Sequence, residues 1–577
     1  MRRTFCTLDQ MRAALAVARG DAPPDVLITG GEVLNVYSGE VLPASVAIVA
    51  GRIAYVGQRQ LETGENTTVI DARGRIVAPG YMDPHAHPHA LFTPVAFARA
   101  VLPHGTTAAV ADTLPLLYLT RPERTHDAMA ALGRLPLRFF WFLRIHGQSH
   151  TPADQALMRN ERLEALRALD DVRTVGEVTR WPLVYAGDAT LLQRIADGLV
   201  AGRRVEGHAP GVSTDRLQVL AAAGISSDHE AITADQALDR LRAGLYVMLR
   251  HGSLRPDLPA LAPVATGARA FSGRLMLTPD GPSAPFIASN GYLDYVIGTA
   301  LRTGINAHAA YQMATVNPAT YYGLDQELGG IAPGRRADLV LLEGLDQPRP
   351  LLVIAGGEVA ARDGRLVRDI ADLPWADWLR PYTPGPWRPD PSVFSLEGLP
   401  SPTPAMHLKD AAITTRVDIQ HSGGLPDGVV RLVLVDPAGR WRCRTVLAGF
   451  AQRLGGLAST YSTGGGIYTM GQDPHDMAIA ARRALDTGGG IVLVEDRAIL
   501  FELPLPLGGM MSPLPVPEVA AAVERLARLL AERGYRHHDI SYTLLFLGFD
   551  SLPYLRLTYQ GLWDVLAGQA LLPREDL

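Results

Sequence analysis

The chain has very little cysteine and almost no lysine. Its 577 residues include two cysteines, Cys6 and Cys443, and no CxxC pair. These are too few for a disulfide framework, so the cytoplasm is the expected location. Lys409 is the only lysine, and nearly all of the 54 basic residues are therefore arginines.

Long apolar runs are missing as well. No stretch reaches the roughly 20 apolar residues that cross a bilayer, and residues 1–20 lack the apolar core of a signal peptide. The chain is 47% apolar and 20% charged, with a formal net charge of -5. This balance gives no reason to expect nucleic acid or an anionic membrane as a partner, which leaves a small-molecule substrate. The missing PCxxC segment excludes the zinc-dependent base deaminases that bind metal through it.

Glycine, proline and hydrophobic periodicity divide the chain into regions. Residues 7–19 predict a short amphipathic helix, and β-rich runs follow as far as residue 77. Similar runs return at 338–364, which predicts a small sheet domain built from both flanks. Between them, strand-like and helical patterns alternate, which favours a parallel α/β barrel. The predicted domains are a small β-sandwich domain (1–79 and 325–372), a barrel (80–324), a Pro-rich linker (373–405) and an α+β domain (406–577).

Residues with metal-binding side chains occur in one order along the predicted barrel. Imidazole nitrogens and carboxylate oxygens are usual ligands of Zn²⁺, Mn²⁺ and Fe²⁺. Most of these residues directly follow an apolar run, so the C-terminal ends of the barrel strands would gather them. The six candidates are His85, His87, Glu177, His208, His229 and Asp280.

Each candidate also has a purely structural interpretation, because a single histidine in an α/β core is more often hydrogen-bonded than a ligand. His85 and His87 are the strongest pair, since alternate positions on a strand put both imidazoles on one face. The alternatives for the others are a turn cap for His208, a helix cap for His229, a surface carboxylate for Glu177 and an ordinary turn for Asp280. Their joint order favours the metal site.

The ordered motifs resemble the amidohydrolase superfamily and, within it, the adenine deaminase family. APGYMDPHAH (78–87), VEGHAPGVS (205–213) and AAGISSDHE (222–230) follow in the family's order. VLITGGEVLN (26–35) and IAPGRRADLVLL (331–342) resemble the strands of its small domain. The resemblance implies a (β/α)8 barrel, a small β-sandwich domain and a C-terminal domain of the adenine deaminase type. Relatives of this kind commonly form dimers or larger assemblies, so a homo-oligomer is expected.

The resemblance also implies two divalent metal ions, Mn, Zn or Fe, that convert a shared water into an attacking hydroxide. One ion would be held by His85, His87, Glu177 and Asp280, and the other by His208 and His229. Glu177 would reach both ions, because the barrel has no lysine that could be carbamylated as the bridge. Asp280 would act as general base and then as general acid. The expected reaction is hydrolysis of a C–N bond in a small nitrogen heterocycle.

Four polar sequence segments differ from the family's pattern. The Ile-Glu-Ser-Ser that follows the HxH pair is replaced by residues 88–91, and VADPHE becomes VADTLP at 110–115. Arg-Glu-Gly-Ser becomes RHGS at 250–253, and a His-Asp-Ser-His-Asn segment becomes STGGG at 462–466. Buried polar groups matched to a purine discriminate strongly between substrates. Their joint loss argues against efficient adenine turnover.

Basic side chains near the motifs predict a substrate site with positive charge. Arg180 stands where the family usually has Asn, and a guanidinium can bind a carboxylate through two hydrogen bonds. The alternative is that Arg180 pairs with a protein carboxylate such as Asp228 or Glu230. The substrate-binding candidates are Arg180, His89, Arg250 and His251.

Three hypotheses follow for the function. The first is a binuclear metallohydrolase that acts on adenine or a related aminopurine. The second is a cyclic amidase of the hydantoinase or imidazolonase kind, which opens a carboxylate-bearing ring and does not use adenine. The third is a non-catalytic relative that keeps the fold, and the six intact candidate ligands count against it.

Overall fold

Eight parallel strands form the central barrel. In chain order, each paired with the next, they are β1 (Tyr81–Ala86), β2 (Thr106–Asp112), β3 (Arg138–Leu143), β4 (Val172–Val178), β5 (Arg204–Gly207), β6 (Ser227–Asp228), β7 (Tyr246–Arg250) and β8 (Leu275–Thr278). The Thr278 hydroxyl on β8 lies 2.8 Å from a carboxylate oxygen of Asp83 and 3.0 Å from the carbonyl oxygen of His85, both on β1. The first and last strands therefore meet. The predicted α/β barrel is confirmed.

The computed structural model describes residues 7–148, 151, 156–380, 382, 385–422, 424–463 and 465–577. Cys6 and Gly464 lie outside these ranges. The predicted N-terminal helix is Leu8–Arg19, in which Thr7 accepts a hydrogen bond from the Gln10 N–H at 3.2 Å and caps the first turn. None of the described helices has both the length and the apolar character that crossing a bilayer requires.

Helices follow most barrel strands and cover their outer faces. They are Pro94–Val101, Leu114–Leu119, Thr125–Leu132, Asn160–Arg167, Trp181–Tyr185, Ala189–Val200, Thr214–Ala222, Ala234–Arg242, Leu258–Leu261, Ala284–Asn290, Leu293–Arg302, Ala307–Met313 and Val316–Tyr321. Short 3-10 turns occupy Leu102–His104, Pro122–Arg124, Ala262–Ala265 and Gly267–Phe271. Several helices begin where a side chain accepts a backbone N–H, as at Asp188, Ser213 and Thr233.

Two smaller sheets pack together beside the barrel. One contains, in order, Arg52–Gly57, Ser45–Val49, Val26–Thr29 and Thr68–Asp71. The other contains Arg365–Leu366, Glu358–Arg362, Leu352–Ala355, Leu339–Leu342, Ile76–Pro79, Glu32–Asn35 and Glu40–Pro43. Residues from before and after the barrel, including Ile28, Val46 and Leu339, share one apolar core. The sandwich is therefore built from both flanks of the chain, as the sequence predicts.

The C-terminal region is a second α+β unit. Its main sheet has the order Thr414–Ile419, Thr403–Leu408, Trp441–Ala448, Val429–Val435, Ile467–Gly471, Gly456–Ser459, Gly490–Glu495 and Ala498–Pro504, with Glu575–Asp576 paired to Trp441–Ala448. A three-stranded sheet contains Leu555–Thr558, Gly561–Asp564 and Gln569–Pro573. The helices are Pro474–Asp486, Val516–Ala531 and Ile540–Phe546, and Trp375–Trp378 and the 3-10 turn Pro391–Phe394 precede the sheet.

The C-terminal region contacts the mouth of the barrel. The short strand Leu91–Phe92, which follows β1, pairs in parallel with Met511–Ser512. Leu379, in the Pro-rich segment, forms a β-bridge with Thr120. The helix Ile540–Phe546, called the cap helix below, brings Tyr542 to the carbonyl of Gly281. Residues distant in sequence thus surround the space above the C-terminal ends of the strands.

Candidate active site

β1 ends in two histidines whose imidazoles lie side by side. The Nε2 atoms of His85 and His87 are 3.0 Å apart. One carboxylate oxygen of Asp280 lies 3.2 Å from Nε2 of His85 and 3.4 Å from Nε2 of His87. The alternation of a strand therefore puts both rings on one face, and the segment after β8 brings a carboxylate to them.

A second group comes from the ends of β4, β5 and β6. His208 Nδ1 lies 3.1 Å from His229 Nε2. Glu177 Oε1 contacts His208 Nδ1 and lies 3.3 Å from His229 Nε2. The rings of His85 and His229 are 4.1 Å apart between centroids, so the two groups are neighbours. The six residues singled out in the sequence thus meet at one place.

Asp280 has an unusual backbone conformation. Its φ is 54°, in the left-handed region, and its N–H donates to the Thr278 hydroxyl at 3.1 Å. Asp is one of the few residues other than Gly that adopt this conformation readily. Burial would raise the pKa of the Asp280 carboxyl, but when His85 and His87 are both protonated their hydrogen bonds outweigh it and hold that pKa well below its usual value. Asp280 is therefore anionic.

Arg144 and Asp112 complete the site beneath Glu177. The Arg144 guanidinium donates to both oxygens of Asp112, at 2.9 and 2.8 Å, and also contacts Glu177. Burial would raise the pKa of Glu177, but the charges of Arg144 and His208 outweigh it and hold the pKa well below its usual value. The sequence interpretation missed Arg144 and Asp112 as site residues. The sequence signal that could have identified Asp112 as a site residue is its position at the end of β2.

Glu230 is a further carboxylate that the sequence interpretation did not assign to the metals. Its Oε1 lies 3.6 Å from both His208 Nδ1 and His229 Nε2. Arg250 contacts Glu230 and donates to Asp280 at 2.8 Å. Burial opposes ionisation of Glu230, but the charge of Arg250 lowers its pKa below the usual value. The sequence signal that could have identified Glu230 as a site residue is its position directly after His229.

A layer of carboxylates behind the histidines fixes their orientation. His85 Nδ1–H donates to Glu206, which is fully buried. His85 then presents the lone pair of Nε2 towards His87 and Asp280. Asp228 accepts from the Ala209 N–H at 2.8 Å and pairs with Arg240, which holds the segment between His208 and the next helix.

The donor set fits divalent cations. Imidazole lone pairs that face a carboxylate oxygen at 3.2 to 3.4 Å repel it unless a cation or a proton lies between them. Nitrogen and oxygen donors of this kind suit Zn²⁺, Mn²⁺ and Fe²⁺. Two separate sets each contain two imidazoles and a carboxylate: His85, His87 and Asp280 form one, and His208, His229 and Glu230 form the other. Glu177 forms a further set with His85 and His229, one imidazole from each group.

The cavity above this cluster has a volume of about 840 Å³. The barrel forms its floor, and the C-terminal region contributes Tyr461, Tyr542 and Phe546 to its wall. Of the STGGG segment, Ser462, Thr463, Gly465 and Gly466 also line the cavity, whereas Gly464 lies outside the described residues. The cavity therefore combines a charged floor with a wall that includes several aromatic side chains.

The predicted substrate-binding residues have different surroundings. His89 lines the cavity and is 5% exposed, and neither ring nitrogen has a hydrogen-bond partner among the described residues. Burial lowers the pKa of His89 to about 3. Arg250 also lines the cavity, but its charge is shared between Glu230 and Asp280. The cavity is thus lined by a neutral imidazole, that of His89, and by a guanidinium that is already paired, that of Arg250.

Arg180 and His251 are not among the described residues that line this cavity. Arg180 Nη2 lies 3.1 Å from both carboxylate oxygens of Asp550, which is buried in the C-terminal region. Its partner is therefore neither Asp228 nor Glu230. His251 is buried next to Tyr295, with ring centroids 5.8 Å apart. The positive charge of Arg180 is compensated by the protein itself.

Comparison with known families matches both large regions of the chain. A model described as "Amidohydrolase family" matches residues 76–360, and one described as "Adenine deaminase C-terminal domain" matches residues 409–569. A protein named "Adenine deaminase" from Moorella thermoacetica is 34% identical over 581 residues, which cover 96% of each chain. One with the same name from Rubrobacter xylanophilus is 33% identical over 588 residues, again with 96% of each chain covered.

Solved structures were compared with the chain as well. An adenosine deaminase from Xanthomonas campestris with bound zinc covers 60% of this chain and 95% of its own, at 15% sequence identity and a TM-score of 0.46.

Proposed function

The chain belongs to the adenine deaminase family of amidohydrolases, and from this premise we propose that it hydrolyses the amino group of adenine or a related aminopurine. It is a hydrolase that acts on carbon–nitrogen bonds other than peptide bonds. The observation that carries the proposal is the convergence of four imidazoles with Glu177 and Asp280 at the floor of one cavity. The reaction converts an aminopurine and water into an oxopurine and ammonia.

Two divalent metal ions, Mn, Zn or Fe, belong to this proposal. His85, His87 and Asp280 would hold one ion, and His208 and His229 the other, with Glu177 shared between them. Glu230 is an additional candidate for the second ion because of its place 3.6 Å from both imidazoles. When bound, such ions supply positive charge that lowers the pKa of water and makes it a nucleophile at neutral pH.

Asp280 carries the proton transfer in this proposal. Asp280 is ionised, and its carboxylate would accept a proton from water that bound cations have made more acidic. The same carboxyl can then return the proton to the amino nitrogen as the C–N bond breaks. Arg250 donates to the other oxygen of Asp280 at 2.8 Å, which leaves one oxygen directed at the two histidines. Arg250 therefore orients the carboxylate.

We assign substrate recognition to buried polar groups that lack a hydrogen-bond partner among the described residues. Leaving such a group unpaired costs free energy, so a ligand that pairs with it binds more tightly. His89 on the barrel side and the Ser462 hydroxyl on the C-terminal side are two such groups that line the cavity. A purine offers ring nitrogens that accept hydrogen bonds and N–H groups that donate them. Both proposed residues can pair with this pattern.

The cyclic amidase hypothesis has less support. It required Arg180 to bind a substrate carboxylate, whereas Arg180 pairs with Asp550. Arg250 is likewise paired with Glu230 and Asp280. A second anion would have to displace these carboxylates, at the cost of leaving buried charges unpaired. A neutral heterocycle with a hydrolysable amino group meets no such obstacle.

Adenine is the substrate to test first. The metal-loaded enzyme is incubated with adenine, and ammonia release and the change in ultraviolet absorbance are followed together. Because four polar segments of the family's site are replaced, we expect slow but stoichiometric formation of ammonia and hypoxanthine. Ring opening of a hydantoin- or imidazolone-type acid, with no ammonia from adenine or other aminopurines, would favour the cyclic amidase.

The family resemblance also leads us to propose a cytoplasmic homo-oligomer. Light scattering of the purified chain tests the assembly.

A further inference from the structure

We propose that Tyr542, from the C-terminal region, is a positioning residue that fixes the backbone of Asp280 for catalysis. The inference rests on the proposed role of Asp280 in proton transfer. Tyr542 lies on the cap helix, 262 positions after Asp280 in the chain. Its hydroxyl donates to the carbonyl oxygen of Gly281, the residue that follows Asp280. The C-terminal region would thereby complete the active site of the barrel.

The turn that Tyr542 contacts is in a restricted conformation. Asp280 has φ 54° and Gly281 has φ 65°, so two successive residues are left-handed. A Cβ atom built on Gly281 would lie 2.9 Å from the Cβ of His87 and 3.2 Å from the Tyr542 hydroxyl. The turn is therefore packed between a proposed metal ligand and the tyrosine. If the tyrosine hydroxyl is removed, one side of this packing is lost.

A carboxylate anchors the start of the cap helix to the barrel. Asp539 caps the helix by accepting from the Ser541 N–H at 3.0 Å. Burial raises the pKa of its carboxyl, and the nearby side chains of Ser253 and Ser283 partly offset that rise. The Ser283 N–H in turn donates to the Ser253 hydroxyl at 3.0 Å. Ser253 follows β7 and Ser283 follows the Asp280 turn. The start of the helix thus lies beside the segments that follow β7 and β8.

A second anchor lies beyond the other end of the helix. Asp550 follows the cap helix and pairs with Arg180, which follows β4 and Glu177. The cap helix is therefore attached above β4 at one end and above β7 and β8 at the other. With both ends attached, the Tyr542 ring has a defined position above the site, as positioning requires.

The Tyr542 hydroxyl has one proton, and it donates that proton in the hydrogen bond to the Gly281 carbonyl. A direct catalytic or substrate-binding role would need that proton to be released from this bond. The contact therefore favours an effect on kcat through Asp280 over an effect on KM. A group held away from its productive place by about 1 Å can lose roughly a hundredfold in rate.

The test compares two tyrosine-to-phenylalanine variants. Tyr542→Phe removes the bond to Gly281. Tyr535→Phe is the matched control, because the buried Tyr535 hydroxyl bonds to Thr543 of the cap helix at 2.7 Å and, among the described residues, forms no hydrogen bond with the Asp280 turn. We expect Tyr542→Phe to lower kcat for adenine roughly 10- to 100-fold with KM and metal content unchanged, and Tyr535→Phe to keep the wild-type kcat. Unchanged kcat in Tyr542→Phe, or a rise in KM alone, would overturn the proposal.

Two further measurements separate positioning from folding and from the proposed function. Incorporation of 3-fluorotyrosine at position 542 keeps the donor and should restore kcat; a persistent loss overturns the proposal. The crystal structure of Tyr542→Phe should show that Asp280 has left the left-handed region or that its carboxylate has moved from His85, and an unchanged turn overturns the proposal. This structural readout needs no turnover. Inactivity of the wild-type enzyme on all aminopurines would therefore refute the proposed function without deciding the role of Tyr542.

Discussion

Arg144 donates to both carboxylate oxygens of Asp112, at 2.9 and 2.8 Å, and this pair is buried directly beneath the proposed metal site. The same guanidinium contacts Glu177. One cation thus compensates two carboxylates that would otherwise repel each other at the floor of the cavity. The arrangement lets several acidic side chains remain ionised in a buried place, which is a requirement for binding metal.

Replacing Arg144 by Met should destabilise the protein. The change leaves two buried carboxylates without their partner, and breaking a buried pair in this way costs about 3–5 kcal/mol. Urea unfolding of the metal-free protein gives the free energy of unfolding. The control is Arg73→Met, which removes an exposed partner of Asp71 and should leave the unfolding midpoint unchanged. Equal midpoints for both variants would contradict this account of Arg144.

Asp280→Asn should abolish most of the activity while the protein stays folded. The amide cannot accept a proton from water, and loss of a general base typically costs about 10² to 10⁴ in rate. The measurement is kcat for ammonia release, with metal content determined on the same sample. A variant that keeps both its metals and full activity would refute the proton-transfer role.

Stability should depend on pH through His146. Its side chain is buried, and burial lowers its pKa from 6.5 to about 4. The unfolded chain binds this proton below about pH 6.5 and the folded chain does not, so folding loses stability as pH falls towards 4. Relative to His146→Asn, the wild type should lose about 2 kcal/mol between about pH 7.5 and about pH 5. Parallel stability curves for the two proteins would show that His146 is not held neutral.

Arg180 and Asp550 should behave as one unit. Arg180→Gln and Asp550→Asn each break the same partly buried pair, so their effects on stability should not add. In a double-mutant cycle we expect a coupling energy of about 1 kcal/mol or more. Additive effects would show that the pair contributes nothing. If Arg180→Gln alone raised KM for a carboxylate-bearing substrate, the cyclic amidase hypothesis would gain the support that it now lacks.

Much of the fold and of the metal-type cluster can be predicted from the sequence, because both depend on local patterns. The alternation of strand and helix signals predicts the barrel. The alternate positions of His85 and His87 predict that their rings share a face. The six metal-type residues each lie at or just after the C-terminal end of a strand, and the closed barrel brings such ends together.

The residues that the sequence interpretation missed act through contacts between distant segments. Arg144 is recognisable only once β2, β3 and β4 are neighbours. Tyr542 lies in another region of the chain, and no local pattern links it to the Asp280 turn. The partner of Arg180 was also beyond prediction, because Asp550 is 370 residues away. Charge balance and packing between domains are properties of the folded chain.

The metal content of the purified protein tests the central claim most directly. The protein is loaded with Mn²⁺ or Zn²⁺, dialysed and crystallised, and anomalous scattering is measured at the absorption edge of the metal. We expect two peaks per chain, one beside His85, His87 and Asp280 and one beside His208 and His229, with activity lost on chelation and restored by metal. A fully loaded crystal with no peak between these side chains would contradict the account.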